Sequence, residues 1–302
     1  MRIVFLGTAS SIPMAERSLP SLAIVRGGEL LLFDVGEGAQ RSMIHANLSP
    51  NRVSKVFLTH LHGDHCVGLL GLMQTLSLMA RRKPLHIYGP RGTLGFIKDS
   101  IRHLKFHLTY PLYIHMVREG VVVREREYLV RAARAEHSIP TYAYRLDEYE
   151  RPGVFHPERA CELGVPRGVL WSKLQRGECV EVGGRVVKPE DVLGPKRRGR
   201  SVGVSGDTRP TAKLTRFFQG VDVLVFDSTY GDDHADKAAE NLHSTAREAA
   251  SLARDAGVKL LILTHFSARY SDVGVLVAQA SEVHGNVVAA YDGLGIDVPY
   301  PD

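Results

Sequence analysis

Cysteine is scarce in this chain. Cys66, Cys161 and Cys179 are the only three in 302 residues. They are too few and too scattered for a disulfide framework or a cysteine-rich zinc site, and a reducing cytoplasm is the expected compartment. No apolar run reaches 18 residues, which excludes a membrane-spanning helix. Met1-Arg-Ile-Val-Phe-Leu6 enters a strand-like run at once, with neither a signal-peptide apolar core nor a small-residue cleavage site, so no export is expected. Short-period repeats, heptads and low-complexity tracts are also missing. What is present is ordinary for a soluble globular protein: 44% hydrophobic and 24% charged residues. The length suits one or two domains and a core that needs no covalent staples.

The net charge of +5 is unevenly placed. Residues 151–200 hold 11 Lys and Arg against 6 Asp and Glu, whereas the other 252 residues carry 27 of each sign. Such asymmetry fits either an anionic partner or a solvated basic loop. The same region, 149–196, carries five of the fifteen prolines and little periodicity. It reads as an arm of turns and extended pieces, with one short helix at Glu158–Gly164, inserted into a single domain spanning 1–302.

Short apolar runs closed by turn residues predict strands at Ile3–Leu6, Leu30–Asp34, Lys55–Leu58 and Leu85–Tyr88. Val67–Arg81 and Thr93–Leu104 have helical length, and Val130–Ala135 and Tyr142–Leu146 read as strands flanking His137. From Ser201 onward strands and helices alternate to the chain end, which makes this an α/β protein.

The densest chemistry is Thr59-His60-Leu61-His62-Gly63-Asp64-His65, directly after Val56-Phe57-Leu58. Three imidazoles and a carboxylate suit zinc and neighbouring transition metals without any thiolate. In an extended loop His60 and His62 share a side, and a turn at Gly63 lets Asp64 and His65 face a second point. One tetrahedral ion cannot easily take all four, but two ions about 3.5–4 Å apart can share them if distant residues complete the set. Those residues are sought at the ends of apolar runs, because sites in α/β sheets form at the carboxyl ends of strands. His137, Asp207 and His265 satisfy this rule, and Thr264-His265 repeats the pattern of Thr59-His60. Histidines 86, 103, 107, 115, 156 and 234 lack such context, and Cys66 reads as a small buried residue.

His60-Leu-His-Gly-Asp-His65 is the signature of the metallo-β-lactamase superfamily. More narrowly, the chain resembles the ribonuclease Z family of tRNA 3′-processing endonucleases nearly end to end. The matching segments are Phe5-Leu-Gly-Thr8, Phe33-Asp-Val-Gly-Glu-Gly-Ala-Gln-Arg41, His137-Ser138, Ser205-Gly-Asp-Thr208, Asp227-Ser-Thr229, His243-Ser-Thr-Ala246, Thr264-His-Phe-Ser267 with Arg269-Tyr270, and Tyr291-Asp-Gly293. The resemblance implies an αββα sandwich with an inserted arm. It also implies two zinc ions, manganese or iron being acceptable to the same donors. One ion falls to His60, His62 and His137, the other to Asp64, His65 and His265, with Asp207 bridging. A hydroxide supplied there attacks the phosphodiester, oriented by Asp64.

Thr245 and Glu248 have capping-box spacing, so a helix is expected to start at Thr245, with His243 just before its N-terminus. Alone, His243 reads as a surface residue in a polar turn; the resemblance makes it the general acid for the departing 3′ oxygen. Arg269, which follows the strand ending at His265, is expected to hold phosphate or to support the site. Gly164-Val-Pro-Arg-Gly168 and Lys173-Leu-Gln-Arg-Gly177 stand where the family's tRNA-gripping arm belongs, with Val169 where proline is usual. Arg167, Lys173 and Arg176 are the expected phosphate contacts. The implied function is removal of 3′ trailers from precursor tRNA, leaving a 3′-hydroxyl, by a cytoplasmic homodimer. The competing readings are a small-molecule phosphodiesterase, thioester or arylsulfatase-like hydrolase on the same scaffold, which needs no basic arm, and an RNA-binding module with a structural metal.

Overall fold

The computed structural model describes residues 1–301. The chain forms two compact units: Met1–Asp147 with Ser201–Pro299, and Glu148–Arg200 with the chain end from Tyr300. The first unit holds two seven-stranded sheets. In spatial order, one runs Gly295–Asp297, Arg2–Gly7, Ser21–Arg26, Glu29–Val35, Val53–Phe57, Leu85–Gly89, Leu112–Met116. The other runs Val287–Ala289, Leu260–Thr264, Val223–Asp227, Ser201–Val204, Thr141–Glu148, Tyr128–Ala135, Gly120–Arg124.

Alternation along the strands builds the layers. Ile3 and Phe5 face the other sheet, while Val4 and Leu6 face helices. Because both faces are covered, the strands read as continuous apolar runs rather than alternating ones. Between the sheets Phe57 stacks on Phe33 and Tyr88 at 4.9 and 5.0 Å, and Tyr144 completes the cluster. Helices Ala39–His45, Gly68–Leu78 and Thr93–Leu104 bury Met43, Leu72 and Ile97 against the first sheet. Ala246–Asp255 presents Ala246, Ala249, Ala250 and Ala253 to the second, a stripe of small residues at helical spacing that lets the helix approach closely. This is the expected αββα sandwich. No helix among the described residues is long and apolar enough to cross a membrane.

The differences from the sequence reading have simple causes. The helix expected from Val67 starts earlier: Gly63–Cys66 already forms a helical turn and runs through Val67 into Gly68–Leu78. Asp64 therefore sits in a first helical turn, where a carboxylate is favoured. The strands Leu112–Met116 and Gly120–Arg124, which the sequence reading passed over despite their apolar residues, are half-exposed edges of the two sheets.

The second unit is more ordered than the arm of turns expected at 149–196. Pro157–Glu162, Val169–Gln175 and Pro189–Val192 are helices, and Val180–Val182 pairs with Arg185–Val187. The hairpin turns through Gly183 and Gly184, both at positive φ (58° and 78°), as a tight two-residue turn requires. Ala160, Val165, Leu174, Val180, Val187 and Val192 are buried together. These elements are each too short to show a period. Part of the basic excess is spent inside: Arg200 grips Glu148 at 2.7 and 2.8 Å, and Tyr300 lies between the guanidinium groups of Arg151 and Arg200, 3.3 and 3.9 Å from its ring centre. Cys161 and Cys179 are exposed free thiols.

Candidate metal centre

Strand ends of both sheets deliver the chemistry. Val53–Phe57 leads to His60 and the turn carrying Asp64 and His65; Tyr128–Ala135 leads to His137, Ser201–Val204 to Asp207, and Leu260–Thr264 to His265. The structure brings all seven residues together, in two groups that share Asp207: His60, His62 and His137 on one side, Asp64, His65 and His265 on the other. Within the first group His60 Nε2 lies 3.0 Å and His137 Nε2 3.3 Å from His62 Nδ1. A zinc tetrahedron with bonds near 2.0–2.1 Å has edges of about 3.3–3.4 Å, so the spacing suits one ion. The carboxylate of Asp207 divides between the groups. Oδ2 faces His60 Nε2 at 3.6 Å and His137 Nε2 at 3.9 Å, while Oδ1 is 3.2 Å from both His65 Nε2 and His265 Nε2. Asp64 Oδ2 closes the second group at 3.5 and 3.9 Å from the same two nitrogens.

Two observations test whether these donors fit cations. The buried Nε2 atoms of His65 and His265 have no hydrogen-bond partner in the protein, a costly arrangement unless another electrophile engages them. The electrostatics agree. Burial opposes charge on His65, yet Asp207 and Asp34 raise its pKa well above the ordinary value. Burial likewise opposes charge on Asp207, but His265, His65 and His60 hold its carboxyl well below the carboxylate range. Negative charge is thus concentrated where a divalent ion would be placed.

A second row of residues fixes these candidate side chains. His60 Nδ1 pairs with Thr59 Oγ1 (2.9 Å), His65 Nδ1 with Asp34 Oδ2 (2.8 Å), His137 Nδ1 with the Leu242 carbonyl (3.1 Å) and His265 Nδ1 with Thr229 Oγ1 (2.8 Å). Such partners set tautomer and ring orientation. The backbone is strained for the same end: Asp34 and His265 adopt left-handed φ of 56° and 64°, each costing about 1–3 kcal/mol. Gly206, at φ 62°, lets the Asp207 loop press on Thr59; a Cβ there would meet the Thr59 Cβ at 2.7 Å.

His243 stacks on His265 with ring centres 5.2 Å apart. Its Nδ1 lies 2.8 Å from Oδ2 of the fully buried Asp227. Burial disfavours the imidazolium, but Asp227 outweighs it and raises the pKa to about 9. A cation beside it would lower that value toward neutrality, where a general acid works best. The capping box at Thr245 and Glu248 is formed, so the helix begins where expected. A cleft of about 600 Å3 over the site is lined by His62, Asp64, His137, Asp207, His243 and His265. Arg269 lines an adjoining cavity that His243 also borders.

In the second unit Arg167 and Arg176 are exposed and Lys173 is half-buried. Arg167 stacks over Trp171, and Arg176 pairs with Glu178. The sequence reading gave no role to Asp34, Asp227, Thr59 or Thr229. Both acids end apolar strands, so the rule that found Asp207 would have found them too.

A family model described as beta-lactamase superfamily domain matches residues 184–266, and one described as Anti-Pycsar protein Apyc1 matches residues 1–99. Proteins named ribonuclease Z from Nitrosopumilus maritimus and Methanosarcina mazei are each 45% identical, over 298 and 305 residues. The matches span 99% and 100% of this chain and 100% of each relative. The crystal structure of human tRNase Z, short form, superposes with a TM-score of 0.73 at 26% identity, covering 99% of this chain and 100% of that one. Fold and site together are those of a metallo-β-lactamase-type hydrolase. Within that class the chain belongs to the ribonuclease Z family.

Replacing the shared carboxylate should disturb both groups at once. Asp207→Ala is expected to lower both the divalent metal measured per chain by plasma mass spectrometry and the hydrolysis rate. Undiminished metal content in the folded variant would remove Asp207 from the ligand set.

Proposed function

We propose that the chain is an endoribonuclease that removes the 3′ trailer of precursor tRNA and leaves a 3′-hydroxyl on the tRNA, with His60, His62, Asp64, His65, His137, Asp207 and His265 holding two zinc ions. Manganese or iron can occupy the same donors. The observation that carries this reading is the divided carboxylate of Asp207, with the Asp227–His243 pair beside it. When bound, the ions supply a water deprotonated near neutral pH and positive charge for the phosphate oxygens.

The protein's own groups do the rest. Asp64, in the wall of the cleft, accepts a hydrogen bond from the attacking water and aims it. The scissile phosphate lies across the cleft. As the phosphorus–O3′ bond breaks, His243 gives its Nε2 proton to O3′, while Asp227 holds Nδ1 and stabilises the imidazolium before transfer. Arg269 binds substrate phosphate. Arg167, Lys173 and Arg176 add electrostatic grip on folded tRNA, which is recognised by shape.

The reading extends to a cytoplasmic homodimer. In support of self-association, the helices on the first sheet leave Ile44 66% and Leu78 88% exposed. Light scattering on the purified chain should give twice the monomer mass; a monomer would end that part of the reading.

The central test is cleavage of an end-labelled precursor tRNA. One cut near the 3′ end of the acceptor stem, abolished by chelator and restored by zinc or manganese, is the expected result. His243→Ala should lower turnover by about 10²–10⁴-fold with metal content retained; a full-rate variant would remove the general acid.

Neutralising Arg167, Lys173 and Arg176 together should weaken precursor tRNA binding and flatten its salt dependence. Hydrolysis of bis-(p-nitrophenyl) phosphate should stay unchanged. An equal loss on both substrates would make these residues structural.

A further inference from the structure

The cleft does not end at His243. It shares Ser11, Tyr230 and His243 with a second cavity of about 350 Å3, which Ser10, Ile12, Ser267 and Arg269 complete. None of the seven metal-binding candidates lines it. We propose that this cavity seats the ribonucleotide immediately 5′ of the cut, the one that keeps the new 3′-hydroxyl. The proposal rests on the endoribonuclease reading with His243 as general acid.

Direction follows from the bond that breaks. Water attacks phosphorus, and the electron pair of the phosphorus–O3′ bond goes to O3′. That oxygen takes the proton from His243 and stays on the upstream ribose; the phosphate leaves on the trailer. The upstream ribose must therefore lie against His243, on the face away from the attacking water. The cavity beyond His243 is the space on that side.

Its walls suit a nucleotide. Ile12 is 62% exposed, an apolar side chain positioned for a base face. Ser10, Ser11 and Ser267 offer hydroxyls for ribose. Arg269 is exposed, donates to Ser267 Oγ at 3.2 Å and lies 5.9 Å from the Tyr230 ring centre. Among the described residues it makes no ion pair, so its charge is available to the phosphate on the 5′ side of that nucleotide.

The wall is also held in place before substrate arrives. Ser10 N donates to Phe266 O and Ala9 N to Ser18 O, both at 3.0 Å. Arg17 ties the loop base to Thr8 Oγ1 and Ala290 O at 2.7 and 2.8 Å.

Photocrosslinking tests the assignment on the metal-loaded wild-type enzyme. The probe is a precursor tRNA whose bridging 3′ oxygen at the cut is a methylene, so it cannot be cleaved. One version carries 4-thiouridine just 5′ of the cut, the other just 3′ of it. The proposal expects the 5′ version to label residues 10–12 or 267–269 and the 3′ version to label neither. Labelling by the 3′ version, equally or instead, overturns it. Arg269→Ala should raise the KM for cleavable precursor about tenfold or more; an unchanged KM would remove the phosphate contact. A probe that does not bind at all, to enzyme that also fails to cut precursor tRNA, would sink the endoribonuclease reading itself. Bound but misplaced probe sinks only this assignment.

Discussion

The site depends on one buried carboxylate that must face two ways. Asp207 is 3% exposed and sits among His60, His65, His137 and His265. A carboxylate has only two oxygens, and here each addresses a different cluster of nitrogens. For that to work, strand ends of two separate sheets must arrive within a few ångströms of one point. A sandwich whose sheets are covered on both faces provides such rigidity, because every strand is fixed by packing above and below. The aromatic stack of Phe33, Phe57 and Tyr88 lies between the sheets, and the strand that carries Phe57 leads straight into the His60 loop.

Holding that point is expensive. Asp34 and His265 take left-handed conformations, and several ionisable groups are stripped of water. The cost is local, whereas the three apolar clusters of the first unit are extensive. Buried charge therefore collects at the site, together with two of the six left-handed non-glycine residues among those described, while stability comes from elsewhere.

Much of this was legible because the chemistry lies at the boundaries of strongly patterned segments. Thr59–His65 announces itself by density, and His137, Asp207 and His265 by ending apolar runs. Asp34 and Asp227 obey the same rule but read as strand termini, since nothing in a single sequence shows which side chains they meet. His243 depends on geometry more completely. Its partner Asp227 is 16 residues away, and the chain between them returns to it by way of the short helix Ala235–Glu240. The second unit was least legible: its helices span four to seven residues, and its core is only six buried apolar side chains.

Proton positions in the second row follow from donor counting, and they explain why a threonine stands against His60 and His265. Asp34, as a carboxylate, can only accept. Thr59 Oγ1, 2.7 Å from Asp34 Oδ2, must then donate its single proton there. Its lone pairs are left for His60 Nδ1, which must be the protonated nitrogen. His60 Nε2 is therefore a bare lone pair aimed at the site. The second sheet repeats the device. Thr229 Oγ1 donates to Asp227 Oδ1 at 2.6 Å and accepts from His265 Nδ1, freeing His265 Nε2. Two other histidines meet a carboxylate directly through Nδ1 rather than through a hydroxyl: His65 with Asp34 Oδ2 and His243 with Asp227 Oδ2, both at 2.8 Å. A threonine hydroxyl between carboxylate and ring fixes which nitrogen carries the proton, whereas direct contact with a carboxylate favours the charged ring, and the pKa of both His65 and His243 is raised. Each aspartate thus orients two histidines, one through a threonine hydroxyl and one directly: Asp34 sets His60 and His65, and Asp227 sets His265 and His243.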